Sequence, residues 1–272
     1  MTKVTDVKTV ILIPARYAST RYPGKPLATL RGSDGVAKPL LQWTWEVARA
    51  VPEADAVYVA TDDDRIAEAA RGFGAEVIMT DPDCRNGTER CADALARAGL
   101  SPEVVVNLQG DAPLTPAWFL SDLIGAMRAD ATLDAATPVL RCDPATLEMF
   151  RQDRRAGRVG GTTAVFDGAG RGLYFSKEVI PFTGDAVFDA GDTVPVFHHV
   201  GVYAYRPAAL AAYLGWAPGP LETLEGLEQL RFLENGARLQ CVEVEGRGRV
   251  FWELNNPEDV DRIETILRAE ST

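Results

Sequence analysis

The chain has 272 residues, and its hydrophobic content of 46% and charged content of 25% are ordinary values for a globular protein. Acidic residues number 39 against 28 basic ones, and the resulting net charge of −11 disfavours a nucleic-acid partner. No apolar run approaches the ~18 residues of a membrane span, and the first residues lack a signal-peptide core, so we expect a cytoplasmic protein without membrane insertion.

The first 140 residues alternate between strand-like and helix-like patterns. Such alternation predicts an α/β fold with a mostly parallel sheet and helices on both faces. The predicted strands are residues 10–13, 56–60, 76–79 and 104–108, and the predicted helices are residues 40–50, 65–71 and 88–98. Thr88 is the expected N-cap of the last of these helices.

After residue 140 the pattern changes. Residues 151–161 are basic and rich in glycine, which indicates a mobile loop. The strand-like stretches 162–167, 172–175 and 196–205 resemble antiparallel additions to the sheet. An amphipathic helix is predicted for residues 221–234, strands for residues 239–244 and 250–254, and a final helix from Pro257.

The cysteines give no sign of a disulfide or zinc framework. The sequence contains Cys84, Cys91, Cys142 and Cys241, which are widely spaced and form no C-x-x-C pair. This spacing favours reduced thiols.

A cationic loop follows the first predicted strand. Residues 14–27 contain Pro, Gly and Ser together with Arg16, Arg21 and Lys25, and no acid. Charge and open backbone N–H groups converge on such a loop at the carboxyl end of a strand, which suits a polyphosphate. The loop is not a Walker loop, because Pro26 follows Gly24-Lys25. A solvated loop is the alternative, but three clustered cations in an acidic protein favour an anionic ligand.

Two further segments suggest binding chemistry. Gln109-Gly110-Asp111 ends a buried strand, where open α/β sheets place their ligands, and Asp111 there is a natural Mg²⁺ ligand or else a loop cap. His198 and His199 are neighbours in a strand pattern, so their side chains point to opposite faces and only one of them can serve a given site. Either histidine can also be an ordinary strand residue.

Together these segments closely resemble the motifs of the CMP-Kdo synthetases, which activate the acid sugar 3-deoxy-manno-octulosonate (Kdo) with CTP. The signature loop at residues 11–27 is the longest match, and the resemblance extends from residue 10 to residue 266. It implies a Rossmann-like nucleotidyltransferase sandwich, with residues 1–272 as a single domain and a smaller inserted β-rich lobe at residues 141–206. The family is homodimeric through that lobe, so a homodimer is expected.

The resemblance also implies the roles of individual residues. Catalysis is expected from Arg16, Lys25 and Asp111. The nucleotide is expected to contact Pro14, Ala15, Arg16, Ser19, Thr20, Lys25, Gly87, Thr88, Arg90 and Gln109. The sugar is expected to contact Ser176, Lys177, His199, Tyr203, Glu228 and Gln229. The cofactor is Mg²⁺, with Asp111 and Asn255 as its ligands.

Several of these assignments depend on the resemblance alone. The residues 86–90, Asn-Gly-Thr-Glu-Arg, read by themselves as a helix-capping motif. Glu228 and Gln229 read as solvated helix surface. The family pattern His-x-Gly-x-Tyr selects His199, and the spacing of His199, Gly201 and Tyr203 predicts that one strand face presents all three.

The chain departs from the family pattern at the metal and sugar side. Ala112 stands where the family has Glu, and Thr163 where it has Lys. Lys177 replaces an Arg and is a poorer bidentate clamp for a carboxylate. Asn255 replaces an Asp metal ligand, and Glu253, on the same predicted strand face, is an alternative ligand.

The implied reaction is CTP + acid sugar → CMP-sugar + pyrophosphate, in which the anomeric hydroxyl attacks the α-phosphorus. Kdo is the expected acceptor, in lipopolysaccharide or capsule biosynthesis. The departures leave two alternatives open: the same chemistry on a variant acid sugar such as amino-Kdo, or a nucleotide-binding homologue that has lost catalysis.

Overall fold

The computed structural model describes residues 7–18, 22–159, 161–184, 186–249, 254, 256–257 and 259–269. The strands in these ranges are β1 Thr9–Ala15, β2 Thr29–Arg31, β3 Ala37–Pro39, β4 Ala56–Thr61, β5 Glu76–Met79, β6 Val104–Leu108, β7 Ala135–Arg141, β8 Thr162–Phe166, β9 Gly172–Ser176, β10 Phe197–His199, β11 Val202–Tyr205 and β12 Leu239–Glu243. The helices are α1 Leu40–Arg49, α2 Asp64–Gly72, α3 Gly87–Ala98, α4 Ala117–Ala129, α5 Pro144–Arg155, α6 Pro207–Gly215, α7 Pro220–Glu225, α8 Leu230–Glu234 and α9 Asp259–Ala269.

Within the described ranges, ten strands form one mixed sheet in the order β5-β4-β1-β6-β11-β7-β10-β8-β9, with β12 paired to β7. The strands β5, β4, β1 and β6 are parallel to one another, as the alternating pattern predicts. The strands β8 to β11 join antiparallel to their neighbours, which confirms the expectation for the stretches after residue 140. The strands β2 and β3 form a separate hairpin.

The sheet is covered on both faces, which explains why its central strands are apolar without interruption. One apolar core joins Ile11 and Ile13 of β1 to Leu120 of α4. The other core joins Val10 and Leu12 of the same strand to residues of α3, α6 and α8. No helix among the described residues is long and apolar enough to cross a membrane.

Four sequence predictions differ from the structure. The predicted helix 221–234 is two short helices, because Gly226 has a φ of 62° and ends α7 in the left-handed conformation. The basic residues 151–155 belong to α5, whose N-cap is Asp143, so the loop predicted there is wrong over those residues. The N-cap of α3 is Asn86, whose side chain accepts from Glu89 N, and Thr88 lies inside the helix.

The fourth difference concerns the strand predicted at residues 196–205. It is two strands, β10 and β11, which lie end to end beside β7 and are interrupted at residues 200–201. At the break, Val202 N donates to Val200 O at 2.7 Å. The predicted strand 250–254 lies outside the described residues except for Leu254.

Residues 141–206 supply α5, β8, β9, β10 and β11, and their strands continue the main sheet. The treatment of this segment as an inserted lobe of a single domain stays a prediction. The four cysteines are free thiols, as expected.

The turn after β6 packs against the end of β1 without room for a side chain. A Cβ atom at Gly110 would lie 2.9 Å from the carbonyl oxygen of Pro14. The carbonyl of Gly110 also accepts from Thr44 Oγ1 at 3.4 Å. The loops that follow β1 and β6 are therefore held close together by a backbone contact.

We expect Gly110→Ala to lower the free energy of unfolding by roughly 1–3 kcal/mol, because the added methyl group must displace backbone. The measurement is urea denaturation at neutral pH. Gly125→Ala is the matched control, because a Cβ at Gly125 meets nothing within 4 Å and the residue lies in α4. That control should gain about 0.5–1 kcal/mol from helix propensity. Equal stability of Gly110→Ala and the wild type would contradict the close-packing argument.

Candidate active site

The candidate site lies at the carboxyl ends of the parallel strands β1, β4 and β6, where open α/β sheets bind ligands. Pro14 and Ala15 are the last residues of β1 and are buried. Arg16 follows and is exposed. Ser19, Thr20 and Arg21 of the same loop lie outside the described residues.

The described part of the cationic loop is fixed by local contacts. Gly24 N donates to Tyr17 O at 2.9 Å, and Gly24 has a φ of 71°, which a residue with a side chain rarely adopts. The Arg65 guanidinium stacks 3.3 Å from the centroid of the Tyr17 ring. Lys25 then opens a short 3₁₀ turn.

Lys25 and Asp111, two of the predicted catalytic residues, form an ion pair between their side chains. Both side chains are partly buried. The backbone N–H of Leu254 donates to the carbonyl of Asp111 at 3.1 Å, so residue 254 also lies at this turn. Asn255 and Glu253, the two candidates for a second metal ligand, lie outside the described residues. No group of three or more His, Cys, Asp or Glu side chains suited to a metal ion occurs in the described ranges.

Two backbone N–H groups at the amino terminus of α3 donate hydrogen bonds to side chains of the protein. Asn86 Oδ1 accepts from Glu89 N at 2.8 Å, and Glu228 Oε2 accepts from Thr88 N at 3.1 Å. The Thr88 hydroxyl lies 2.8 Å from that of Tyr205. Burial raises the pKa of Glu228, and the N–H of Thr88 opposes that rise.

Gln109 contacts both Gly87 at the start of α3 and Glu228, which is a predicted sugar-binding residue. Its Nε2 donates to Glu228 Oε1 at 3.3 Å. Its carboxamide lies against the backbone of Gly87, where a Cβ would come within 2.6 Å of Nε2. The structure thus brings together Gly87, Thr88, Gln109 and Glu228.

Arg90 points into the protein. Its side chain is 4% exposed, its Nη1 lies 2.9 Å from Asp62 Oδ1, and it also donates to Thr80 Oγ1. Its predicted contact with the nucleotide therefore stays a prediction.

Gln229 carries an unsatisfied buried donor. The residue is 2% exposed, its Oε1 accepts from Tyr203 OH at 3.2 Å, and its Nε2 has no hydrogen-bond partner among the described residues. A buried donor without a partner costs about 1–3 kcal/mol. An oxygen of a bound ligand would remove that penalty.

His199 is neutral and has an assignable tautomer. Burial, and secondarily His198, lowers the pKa of His199 to about 3. Its Nε2 lies 2.9 Å from Thr137 Oγ1, and that hydroxyl donates to Val202 O at 2.9 Å. Because a hydroxyl has one proton and a carbonyl can only accept, Nε2–H of His199 must donate to Thr137. The ring therefore keeps Nδ1 as its acceptor.

The break between β10 and β11 does not separate His199 from Tyr203. The two rings still meet, with centroids 5.7 Å apart, and Phe175 packs on the other side of His199 at 4.9 Å. The rings of His199 and Tyr203 are thus in contact, but Gly201 lies in the break, so the prediction that one strand face presents all three residues is wrong.

Glu225, which the sequence did not single out, contacts two of the predicted sugar-binding residues. It accepts from Ser176 Oγ at 2.6 Å and from Lys177 N at 2.9 Å, and so fixes two predicted sugar-binding residues. Burial opposes ionisation of Glu225, but the bonds from Lys177, Ser176 and Tyr174 outweigh it and lower its pKa. Thr163, at the position of the missing Lys, donates to Glu178 O at 2.6 Å and accepts from Ile180 N at 3.1 Å.

A buried ion network supports the segment that carries Glu228 and Gln229. Arg231 is 1% exposed and donates to both carboxylate oxygens of Glu222 at 2.6 Å. It also donates to Glu89 of α3 at 3.1 Å and stacks on the Tyr213 ring at 4.1 Å. Arg231 is the last residue of the motif Leu-Glu-Gln-Leu-Arg at residues 227–231. The sequence alone does not indicate that it pairs with Glu222 and Glu89.

Comparison with known proteins identifies the family of this chain. A family model described as cytidylyltransferase matches residues 10–239. The 3-deoxy-manno-octulosonate cytidylyltransferase of Maricaulis maris is 46% identical over 259 residues, which cover 95% of this chain and 96% of that protein. The protein of the same name from Zea mays is 38% identical over 264 residues, which cover 96% of this chain and 82% of that protein.

Solved structures show the same relationship. The CMP:2-keto-3-deoxy-manno-octonic acid synthetase complexed with CTP has a TM-score of 0.81 at 31% identity, with 97% of this chain and 100% of that chain covered. A cytidylyltransferase from Leptospira borgpetersenii has a TM-score of 0.55 at 17% identity over 91% of this chain and 82% of that chain, and shares the fold alone. The Rossmann-like α/β fold and the family resemblance expected from the sequence are confirmed.

The lowered pKa of His199 predicts a loss of stability in acid. Between pH 6.5 and the native pKa of about 3, the unfolded chain binds a proton that the folded chain does not, so the free energy of unfolding falls as the pH falls. We expect the loss between pH 7 and pH 5, measured by urea denaturation, to be roughly 1–2 kcal/mol smaller in His199→Gln than in the wild type. His198 and all carboxylates are common to both proteins. Equal losses would contradict the assignment of a buried neutral imidazole.

Proposed function

The chain belongs to the cytidylyltransferase family, and from this premise we propose that it transfers CMP from CTP to Kdo and releases pyrophosphate. The observation that carries the proposal is the meeting of Lys25 and Asp111 at the ends of β1 and β6. The ion pair supports a site in which Lys25 would neutralise the triphosphate and Asp111 would bind a metal ion. The names of the relatives at 46% and 38% identity support Kdo as the acceptor.

In the proposed reaction the anomeric hydroxyl of the sugar attacks the α-phosphorus, and the bond to the pyrophosphate breaks. Phosphoryl transfer of this kind depends mainly on positioning and charge neutralisation. Arg16 and Lys25 would neutralise the triphosphate and then the leaving pyrophosphate. The Lys25 ammonium has three donors on a flexible stem, so it can turn from Asp111 to a phosphate oxygen.

The residues at this turn fit a Mg²⁺ ion. Mg²⁺ needs only one or two carboxylates when it shares its coordination shell with substrate phosphates, and Asp111 supplies a partly exposed carboxylate at the carboxyl end of β6. Asn255 or Glu253 is proposed as the second protein ligand. The ion, when bound, would neutralise phosphate charge and lower the pKa of the attacking hydroxyl.

The acceptor would bind near Gln229 and His199, which both contact Tyr203, with Lys177 as a further proposed contact. Gln229 Nε2 offers a donor, His199 Nδ1 an acceptor, and Lys177 a positive charge for the sugar carboxylate. Ser176 and Tyr203 complete the proposed sugar site, and the sugar contact predicted for Glu228 stays a prediction.

A second candidate function is the same chemistry on a variant acid sugar. It is favoured by Thr163, whose hydroxyl is used in bonds to Glu178 and Ile180 and leaves the pocket without the family's cation. A homologue that binds CTP without turning it over is the third candidate.

We also propose a cytoplasmic homodimer. The segment 141–206 exposes Phe182 at 93%, Val187 at 85% and Leu173 at 58%. An apolar surface patch formed by these side chains would be typical of an interface.

The proposed function predicts pyrophosphate release that requires CTP, Kdo and Mg²⁺ together. We expect Asp111→Ala to lower kcat/KM by roughly 10²–10³-fold, because the metal loses a protein ligand. Asp261→Ala, on the exposed surface of α9, is the control and should retain activity. A panel of acid sugars, with CTP against UTP, distinguishes Kdo from a variant acceptor.

Full activity of Asp111→Ala would contradict the assignment of Asp111 as a ligand of Mg²⁺. Binding of CTP without pyrophosphate release from any acid sugar in the panel would instead establish the non-catalytic homologue.

The proposed dimer predicts that Phe182→Asp shifts the sedimentation coefficient from dimer to monomer, because a charge at an apolar interface is desolvated without a partner. Leu224→Asp is the matched control: Leu224 is 82% exposed, lies outside the segment 141–206, and should leave the dimer intact. A wild-type protein that sediments as a monomer at micromolar concentration would overturn the proposal.

A further inference from the structure

Glu228 makes its side-chain hydrogen bonds to the nucleotide motifs rather than to the sugar motifs. One carboxylate oxygen accepts from the backbone of Thr88 at 3.1 Å, and the other accepts from Gln109 Nε2 at 3.3 Å. The backbone carbonyl of Glu228 is held separately, by Tyr213 OH at 3.2 Å. The carboxylate therefore connects the start of α3 to the end of β6.

This contact determines which way the Gln109 carboxamide faces. In this contact the NH₂ group of Gln109 donates to a Glu228 oxygen, which accepts the bond. The Gln109 carbonyl oxygen, Oε1, then remains as the acceptor of that side chain. Burial raises the pKa of Glu228, and the bond that Thr88 N–H donates to its carboxylate opposes that rise.

The backbone of α3 restricts rotation of the same amide. Gly87 presents no side chain, and a Cβ there would lie 2.6 Å from Nε2 and 3.0 Å from Oε1 of Gln109. The carboxamide thus rests on bare backbone on one side and is hydrogen-bonded to Glu228 at its NH₂ end. Gln109 is partly exposed, whereas Gly110 beside it is buried, so the amide lies at the boundary between the core and the site.

We propose that Glu228 is a positioning residue that orients the Gln109 carbonyl toward the nucleotide, so that the site selects a hydrogen-bond donor on the nucleoside. This inference rests on the proposed use of CTP. Two donors on that nucleotide have the required chemistry: the exocyclic amine of cytosine and a ribose hydroxyl. Uracil carries a carbonyl where cytosine carries the amine. With UTP, the uracil carbonyl oxygen and Gln109 Oε1 would therefore face each other, and both are acceptors.

Glu228→Gln tests the inference with little change of shape. The new amide can accept from Thr88 N only through its single carbonyl, so its NH₂ group faces Gln109 and forces that amide to rotate. The NH₂ group of Gln109 would then face the nucleotide. We expect the variant to bind CTP roughly tenfold more weakly and to lose a similar factor of discrimination against UTP or dCTP.

The measurement is calorimetric titration of CTP, UTP and dCTP into the full chain in the absence of sugar, so it does not depend on turnover. A lower ratio of CTP to UTP affinity identifies the cytosine amine as the partner, and a lower ratio of CTP to dCTP affinity identifies the 2′-hydroxyl. Glu243→Gln is the matched control: it makes the same change at an exposed glutamate of β12 that pairs with Arg141, outside the candidate site, and both ratios should stay unchanged.

A second variant keeps the test decisive if Glu228→Gln does not fold. Gln109→Met removes the carbonyl oxygen Oε1 while Glu228 stays in place. It should lower the same affinity ratio, of CTP to UTP or of CTP to dCTP, that Glu228→Gln is expected to lower. Unchanged ratios in a folded variant overturn the role of Glu228 but leave the proposed function standing. Failure of the wild-type chain to bind CTP at all overturns both.

Discussion

The close approach of the β6 turn to the end of β1 is the constraint on which the site depends. It exists because residue 110 has no side chain and lies against the Pro14 carbonyl. The loops that follow the two strands consequently share one space, and a lysine from the first reaches an aspartate from the second. Parallel strands alone would place these loops at the same edge of the sheet, but would not bring their side chains into contact.

The proposed acceptor side is built differently, from a segment anchored by buried charge. Arg231 joins Glu222 of α7 to Glu89 of α3, and all three side chains are almost fully buried. Replacement of such a network by apolar residues is often neutral or stabilising, so its presence is weak evidence for a contribution to stability. Its geometric effect is plain: it fixes Glu228 and Gln229 relative to α3. The nucleotide and acceptor motifs therefore belong to one connected unit.

Much of the fold follows from local sequence pattern. The bounds of β5 and β6 agree with the prediction at both ends, because each is a short apolar run closed by turn residues. The break at Gly226 was missed, because a left-handed glycine and an ordinary helical glycine look alike in sequence. The cap of α3 was misplaced by two residues, since Asn86 and Thr88 are both good capping residues and burial against Tyr205 decides between them.

The site was less predictable than the fold, because its contacts join distant parts of the chain. Family motifs located Gln109 and Glu228 separately, and nothing local indicates that they touch across 119 residues. Glu225 was missed for the same reason, since its partners lie 48 and 49 residues earlier. Ser19, Thr20 and Asn255 lie outside the described residues, so their assignments still depend on the family resemblance.

The pairing of Lys25 with Asp111 has a consequence for which anions the site admits. The pair itself is electrically neutral, although the whole protein carries a net charge of −11. A bare polyanion that draws Lys25 away leaves a partly buried carboxylate without a counterion, which is unfavourable. An anion that arrives with its own cation avoids this, because the two ion pairs simply exchange partners. The pair would thus act as a filter on the charge balance of the incoming ligand, in addition to its shape.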